Sequence, residues 1–283
     1  MKILGDYHTH TYYSDGQAAV IEMVRVAKEN GLHEIAITDH SMGKWSRRFK
    51  RSNFEKLCGD VESARSEMPV LVGVESNLIS TNGRIDVDNV MREKLDILLF
   101  GVHILVLYSP SAFLTFCLPN LFFRCIRFTP KFQVRYNTKV VKRVIEKNKV
   151  DIWTHPNKYF KLDVMDVAKA CIERGTLIEL NSRKISFRPI DFERMAAIGA
   201  KFVINSDAHS TKRVGDIARV EEFLKNCDYD PKVIINLNKT FTEYKHGNIS
   251  GRNQSGNIDE QVHINEPEPE EKPKQGKFFR RKS

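Results

Sequence analysis

Short apolar runs alternate with longer amphipathic stretches through most of the chain. Seven runs have the length of buried strands, at 3–7, 34–38, 70–75, 97–102, 151–154, 176–180 and 201–205. Between them, apolar positions recur at helical spacing at 18–30, 53–67, 139–147, 164–174, 190–198 and 217–226, and several of these stretches end at a glycine. This alternation predicts an α/β fold built on seven parallel strands.

One apolar stretch is long enough to span a bilayer. Residues 97–123 carry no formal charge, but Pro110 and Pro119 interrupt the stretch, and His103 and Asn120 would need polar partners in lipid. We therefore predict a strand followed by an irregular apolar loop, 104–128, and no transmembrane span. Such a loop could cap a cleft, bind an apolar group or pack against the outer helices.

The composition changes sharply at residue 246. Gly, Asn, Ser and Gln come first, then an acidic Pro-Glu run, then a basic end that contains Phe278 and Phe279. Such a segment buries too little apolar surface to order itself. We expect a barrel domain at 1–245 and a disordered tail at 246–283, whose basic end is either inert or contacts an acidic partner or a membrane surface.

Charge is concentrated in two segments of a chain whose formal net charge is +9. Residues 124–149 contain nine basic residues against one acid, Glu146, and residues 44–51 contain five basic residues and no acid. We expect the first segment to include a solvated helix face, and the second, which follows Asp39-His40, to attract anionic substrates such as phosphates.

The cysteines and the N-terminus bear on the compartment. Five cysteines, with no CxxC pair, suggest neither a disulfide framework nor a thiolate zinc site. The first ten residues lack the apolar core of a secretory signal. We therefore expect a reducing, cytoplasmic location.

Histidines gather at the predicted strand ends. Six of the nine histidines lie within or directly after a predicted strand, namely His8, His10, His40, His103, His155 and His209. Carboxylates accompany them at Asp6, Asp15, Asp39, Glu75 and Asp207. The carboxyl ends of parallel barrel strands converge on one face, and a His-x-His pair can chelate one ion. Imidazole with carboxylate suits zinc, manganese or iron, and this many candidate ligands exceed what one ion needs.

The ordered motifs resemble a known family. The series is Asp6-Tyr-His8-Thr-His10, Thr38-Asp39-His40, Gly73-Val-Glu75, Gly101-Val-His103, Thr154-His155-Pro156 and Ser206-Asp207-Ala-His209. Over roughly residues 1–220, this series is similar to the polymerase and histidinol phosphatase (PHP) family of phosphoesterases. The resemblance implies a distorted, TIM-like (β/α)7 barrel with a metal site at its C-terminal face.

The resemblance also implies three ligand sets. His8, His10, Glu75 and Asp207 would hold one ion, and Glu75, His103 and His155 a second. Asp15, His40 and His209 would hold a third. Asp15 stands where several relatives have histidine, which would favour a harder metal there. Asp6 and Asp39 are predicted to orient the neighbouring imidazoles.

These residues predict a phosphoester hydrolase with two or three divalent ions. We expect a metal-activated hydroxide to attack phosphorus, with Glu75 and Asp207 as catalytic carboxylates and Lys158 and Arg183 binding the phosphate. A small phosphorylated metabolite or a nucleotide is the first substrate class. A nuclease that acts on DNA or RNA ends, with the basic segments following the backbone, and a catalytically silent metal-binding module are the alternatives. The sequence leaves the oligomeric state open.

Overall fold

In a computed structural model that describes residues 1–43, 51–104 and 106–252, all seven predicted strands form one parallel sheet. The strands are β1 (Gly5–Asp6), β2 (Glu34–Ile37), β3 (Val70–Asn77), β4 (Ile97–Gly101), β5 (Ile152–Trp153), β6 (Leu177–Asn181) and β7 (Phe202–Asn205). Each pairs with its neighbours in chain order. Seven parallel strands that curl into a barrel confirm the predicted fold class.

Apolar residues dominate most of the strands because both faces of the sheet are buried. A small inner cluster fills the barrel and draws on six of the seven strands or their ends, at Tyr7, Ala36, Ile97, Leu99, Ile152, Leu177 and Val203. A larger cluster packs the outer face of the sheet against the helices. The barrel interior is therefore solid, and an open site can form only at its ends.

The helices surround the sheet. They are α1 (Val20–Glu29), α2 (Arg51–Ala64), α3 (Asn89–Arg92), α4 (Pro110–Ala112), α5 (Leu118–Cys125), α6 (Lys131–Lys147), α7 (Val164–Arg174), α8 (Pro189–Ala197), α9 (Ala218–Leu224) and α10 (Phe241–Arg252). α7 has the bounds that the sequence predicts, 164–174. Asp163 caps its first turn, and Gly175 ends the helix at φ +70°. α6 begins at Lys131, eight residues before the predicted start at 139.

The prediction of an irregular loop at 104–128 was wrong. Residues 110–125 form a nearly continuous helical segment, in which a π-helix (Phe113–Cys117) joins α4 to α5. Ser109 caps the first turn through its hydroxyl, 3.3 Å from the Ala112 nitrogen. Pro110 lies in the first turn of α4, where proline breaks no hydrogen bond. Pro119 lies just after the π-helix passes into α5, and the helical backbone continues through it. Neither proline interrupts the segment.

The basic segments have different outcomes. The predicted solvated face of α6 is confirmed, since Val140, Val141, Val144 and Ile145 are fully buried beneath the lysines. The cluster 44–51 lies outside the described residues except for Arg51, which begins α2. In the tail, α10 carries helical structure as far as Arg252, and residues 253–283 lie outside the described part.

None of the helices in the described ranges is long and apolar enough to cross a bilayer. All five cysteines are free. The reducing, cytoplasmic compartment stays a prediction.

The barrel closes between β1 and β7 with few backbone contacts. At the carboxyl end, Thr9 and Ala208 form a single parallel bridge. At the opposite end Asn236 fills the gap with its fully buried side chain. Its amide donates to the Gly5 oxygen at 2.8 Å and the Ile204 oxygen at 2.7 Å, and its oxygen accepts from the Ile204 nitrogen at 3.0 Å.

Replacing Asn236 with alanine is expected to destabilise the fold. The change leaves three buried backbone groups unsatisfied and should lower the free energy of unfolding by about 3 kcal/mol. Asn238→Ala is the matched control, since Asn238 is exposed and its loss should cost less than about 1 kcal/mol. Urea denaturation of both variants measures the difference, and equal midpoints would contradict this role for Asn236.

Candidate metal centre

Six imidazoles meet at the carboxyl end of the barrel. Five form a closed ring of neighbours, His8–His10–His40–His103–His155, with ring centroids 4.5 to 5.9 Å apart. His209 lies against His10, at 4.3 Å. All six predicted strand-end histidines therefore converge on one site, as the parallel topology requires.

Glu75 lies at the centre of this ring, fully buried near the end of β3. Its Oε1 faces His155 Nε2 at 2.7 Å and His103 Nε2 at 3.4 Å. Its Oε2 faces His8 Nε2 at 3.4 Å and His40 Nδ1 at 3.1 Å. The two oxygens of one carboxylate thus face two different groups of imidazoles.

Asp207 and Asp15 add carboxylate oxygens on the other side of His10. His10 Nε2 lies 3.7 Å from Asp207 Oδ1, and His10 Nδ1 lies 3.7 Å from Asp15 Oδ1. Asp15 also lies 3.4 Å from both His40 Nε2 and His209 Nε2. Three compact sets of donor atoms result, namely His10, Asp15, His40 and His209; His8, His10 and Asp207; and His40, Glu75 and His103.

These three sets contain many of the same residues as the sets implied by the resemblance, but some residues belong to different sets. His10 belongs to two sets, and His40 belongs both to the set with Asp15 and to the set with Glu75. The predicted association of Glu75 with His103 and His155 is present in the distances above. All nine predicted ligands lie in one cluster, and their assignment to individual ions stays a proposal.

Backbone strain marks two of these residues. His155 and Asp207 have positive backbone φ angles of 30° and 53°, which residues other than glycine rarely adopt. Such outliers concentrate at functional sites, where the surrounding structure enforces them. Gly101 is needed for a different reason, because a Cβ there would lie 2.7 Å from Glu75 Oε1.

Two residues that the sequence reasoning missed orient the histidines. Glu179 is buried in the middle of β6. Its carboxylate forms a hydrogen bond with His8 Nδ1 at 2.6 Å and accepts one from the backbone nitrogen of His155 at 2.7 Å. Asn77 Oδ1 lies 2.7 Å from His103 Nδ1. In both histidines the second nitrogen, Nε2, then points toward Glu75. A carboxylate within an apolar strand is costly unless paired, and this signal could have identified Glu179.

The prediction that Asp6 and Asp39 orient imidazoles was wrong. Both carboxylates instead accept hydrogen bonds from backbone nitrogens of neighbouring loops. Asp39 accepts from the Thr11 nitrogen at 2.9 Å and the Ser14 nitrogen at 3.1 Å, which fixes the loop that carries Asp15. Burial raises the pKa of Asp39 to about 6.

Asp6 plays the corresponding part beside Asp207. It accepts from the Ser206 nitrogen at 3.1 Å and the Gly215 nitrogen at 2.9 Å. Both aspartates therefore act on the ligand-bearing loops rather than on the rings.

Replacing Glu179 with glutamine is expected to weaken metal binding. The amide keeps the size of the side chain but loses the charge that favours a proton on His8 Nδ1, and such partners contribute about 10- to 100-fold to metal affinity. Competition with a coloured chelator measures the dissociation constant. Glu173→Gln, at an exposed position on α7, is the control, and an unchanged affinity in Glu179→Gln would contradict this role.

The electrostatics suit ionised carboxylates and, at His10 and His103, neutral imidazoles. Burial and the neighbouring histidines hold the pKa of His10 well below its ordinary value, and burial lowers the pKa of His103 to about 3. Burial would lower the pKa of His8 as well, but the charges of Glu179 and Glu75 hold it well above its ordinary value. Burial by itself would raise the pKa of Glu75, but the interactions with His103 and His8 hold it well below its usual range. Neutral nitrogens and anionic oxygens are the forms in which these side chains bind metals.

Unpaired nitrogen atoms test whether a metal fits. His8 Nε2 and both ring nitrogens of His10 are buried and have no hydrogen-bond partner in the described part of the chain. Buried polar atoms are rarely left unsatisfied, and these three face carboxylate oxygens at about the span that an ion between them needs. The donor set therefore fits divalent cations.

An open cavity of about 690 Å³ lies above the cluster. Lys158, Arg183 and Lys184 line its wall together with the metal-ligand candidates. Lys158 Nζ lies 3.4 Å from Asp207 Oδ2, and Arg183 Nη1 lies 3.5 Å from Asp207 Oδ1. The two predicted phosphate-binding residues thus lie beside the cluster of candidate metal ligands.

Known proteins resemble this chain over nearly its whole length. A probable phosphatase of Caldanaerobacter subterraneus is 28% identical over 91% of this chain and 98% of its own length. A probable phosphatase of Acetivibrio thermocellus is 29% identical over 86% of this chain and 95% of its own.

A solved structure agrees with the fold. The histidinol phosphate phosphatase of Lactococcus lactis, determined in complex with zinc, L-histidinol and phosphate, has a TM-score of 0.54 at 14% identity and covers 81% of this chain and 95% of its own. The PHP domain model matches residues 6–183, which include all the strand ends from β1 to β6. The chain therefore belongs to the PHP family of metal-dependent phosphoester hydrolases.

Proposed function

We propose that the chain hydrolyses phosphomonoesters, either small phosphorylated metabolites or nucleotides, at two or three divalent ions of zinc, manganese or iron. The observation that carries the proposal is the position of Glu75, whose two oxygens face separate groups of imidazoles. When bound, divalent ions lower the pKa of water from about 15.7 toward about 7 and neutralise phosphate oxygens.

The residues around the cleft have distinct tasks. Glu75 and Asp207 keep their negative charge when buried and fix the positions of the imidazoles around them. Lys158 and Arg183 both approach the carboxylate of Asp207, and we expect them to contact the oxygens of a phosphate in the cavity. Glu179 and Asn77 hold His8 and His103 in register with Glu75.

The charge of the cavity wall favours a monoester. Three carboxylates, Asp15, Glu75 and Asp207, face three cations, Lys158, Arg183 and Lys184. The protein wall is therefore balanced, and bound cations would give it the positive surplus that a phosphate dianion requires. A phosphomonoester carries two charges on its phosphate and a diester one, so the monoester gains more from this field. The phosphate complex of the Lactococcus lactis phosphatase supports the same class of substrate.

Replacing Arg183 with alanine is expected to weaken substrate binding. Losing one charge-assisted hydrogen bond to the phosphate should lower kcat/KM about 10- to 100-fold. Arg188→Ala is the matched control, because the Arg188 side chain is 73% exposed and bonds Asp191. Steady-state kinetics on a phosphomonoester checks the prediction, and equal values of kcat/KM for the two variants would contradict it.

Assay of the metal-loaded chain against phosphomonoesters, phosphodiesters and short oligonucleotides tests the proposal. We expect turnover of monoesters that changes little with salt. Preferential cleavage of oligonucleotides, with a steep salt dependence, would indicate a nuclease instead. No turnover of any member of the panel by protein that has bound its ions would indicate a silent binding module.

A further inference from the structure

The helical segment at 110–125 has two faces of opposite environment. Ala112, Phe116 and Asn120 are buried and attach the segment to the barrel. Phe116 packs edge-on against Phe160 at 5.4 Å, and Asn120 and Asn137 exchange two hydrogen bonds of 2.7 Å. The inner face thus supplies the packing that anchors the segment.

The outer face is apolar and exposed. The large exposed side chains of this face, and of the residues that follow it up to the first turn of α6, are 45–65% exposed; they are Phe113, Leu114, Leu118, Phe122, Ile126, Phe128 and Phe132. Leu114, Leu118, Phe122 and Ile126 recur every four residues, which places them along one side of the helical segment. We call these seven side chains the apolar face. Contiguous exposed apolar surface of this kind marks an interaction site.

The stretch of sequence that carries the apolar face has charge of one sign. Residues 97–145 contain seven basic residues and no acid. Arg124, Arg127, Lys131 and Arg135 lie within or directly beside the apolar face, and in the ranges that the structure covers none of the four forms an ion pair with a carboxylate. Farther along α6, Lys142 is paired with Asp166 at 3.1 Å. Arg124 also lies over the Tyr159 ring at 6.0 Å, and Lys131 and Arg135 line a groove that contains Asp163 and Asp166. The apolar face is therefore bordered by cations that have no close carboxylate partner among the described residues.

We propose that the apolar face docks this protein onto an anionic membrane surface. A helix with exposed leucine and phenylalanine on one side and flanking arginine and lysine lies in the headgroup region, with its apolar side chains among the acyl chains. The basic residues complement the negative charge of acidic lipids. This binding is peripheral, in agreement with the lack of a spanning helix in the described part of the chain.

Two other occupants fit less well. A second copy, packed about a two-fold axis, would bring the same cations together with no acid from this stretch to neutralise them. A nucleic acid would satisfy the cations but would leave the leucines and phenylalanines in water.

Cosedimentation of the full chain with vesicles tests the proposal. The vesicles contain phosphatidylcholine with about 30 mol% phosphatidylserine, or phosphatidylcholine alone, at about 0.1 M salt. We expect binding to the anionic vesicles and much weaker binding to the neutral ones. Leu118→Ser with Phe122→Ser should lower the vesicle partition coefficient about tenfold or more, because two apolar side chains that would enter the acyl chains of the membrane are lost. Arg127→Gln with Lys131→Gln should weaken binding to anionic vesicles only.

Matched controls separate this face from the rest of the surface. Ile190→Ser with Ile198→Ser removes two apolar side chains that are 41% and 42% exposed on and beside α8, and should bind as the native chain does. Phe278→Ser with Phe279→Ser tests the basic end of the tail and should also bind normally. Phe122→Trp, with the rest of the face intact, should show a blue-shifted emission when anionic vesicles are added.

Four results would overturn the proposal. The native chain could stay in the supernatant with anionic vesicles, or the tail variant alone could abolish binding. The Leu118/Phe122 variant could change the oligomeric mass in light scattering while vesicle binding stays as in the native chain. If that variant does not fold, the Phe122→Trp chain decides, and an unshifted emission spectrum counts against membrane docking.

Discussion

Glu75→Gln is expected to lower phosphatase turnover about 10³-fold, the upper end of the range for losing one electrostatic partner of a transition state. The amide has the size and shape of the carboxylate, so packing around Gly101 and Thr154 is retained. It has one oxygen where the carboxylate has two, and no charge to offset divalent ions. Both groups of imidazoles therefore lose their shared anion at once. Initial rates with a saturating phosphomonoester, at equal metal concentrations, measure the effect.

Glu93→Gln is the control for this substitution, since Glu93 is exposed beside α3. Its rate and its metal content should match those of the native chain. A Glu75→Gln enzyme with more than a tenth of native turnover would show that the bridging position of Glu75 does not matter for the reaction.

His10→Ala is expected to abolish phosphatase activity while the barrel stays folded. Among the residues that the structure describes, His10 belongs to two of the three donor sets, and neither of its buried ring nitrogens has a hydrogen-bond partner there. Removing the imidazole takes one ligand from each of these two sets. It breaks no side-chain hydrogen bond that stabilises the fold. Activity should fall about 10³-fold or more, and the free energy of unfolding of the metal-free protein should change by less than about 2 kcal/mol.

His33→Ala is the matched control, because His33 is exposed and lies before β2, away from the site. Circular dichroism and urea denaturation of the metal-free proteins check the fold, and turnover checks the site. Unchanged turnover in a purified, metal-loaded His10→Ala protein would contradict the proposed site.

The sequence predicted the barrel and the histidine cluster for one physical reason. A strand that is buried on both faces must be apolar along its length, so each strand stands out as a run, and the polar residue at its end stands out against it. The convergence of His8, His40 and His103 then follows from the parallel topology. The distance between those residues along the chain is irrelevant to this argument.

What the sequence did not show has equally specific causes. Pro110 and Pro119 were taken as interruptions, and so the helical segment and its apolar face were missed. Pro110 lies in a first turn, which tolerates proline, and Pro119 lies where the π-helix passes into α5. Asp39 stands directly before His40, and neighbouring side chains of an extended segment point in opposite directions, which turned Asp39 toward its loop. Asp6 lies two residues before His8, and its carboxylate is instead held by the Ser206 and Gly215 nitrogens. Glu179 was missed because it lies inside an apolar strand, with no histidine beside it in the chain.

Metal analysis by inductively coupled plasma mass spectrometry tests the central claim most directly. The native chain, loaded with zinc or manganese and freed of excess ion by gel filtration, should retain at least two ions per chain, since three donor sets surround Glu75 and His10. Glu75→Gln should retain at least one ion fewer, and His33→Ala should match the native chain. Less than one ion per native chain, or an unchanged content in Glu75→Gln, would contradict a multinuclear centre built around Glu75.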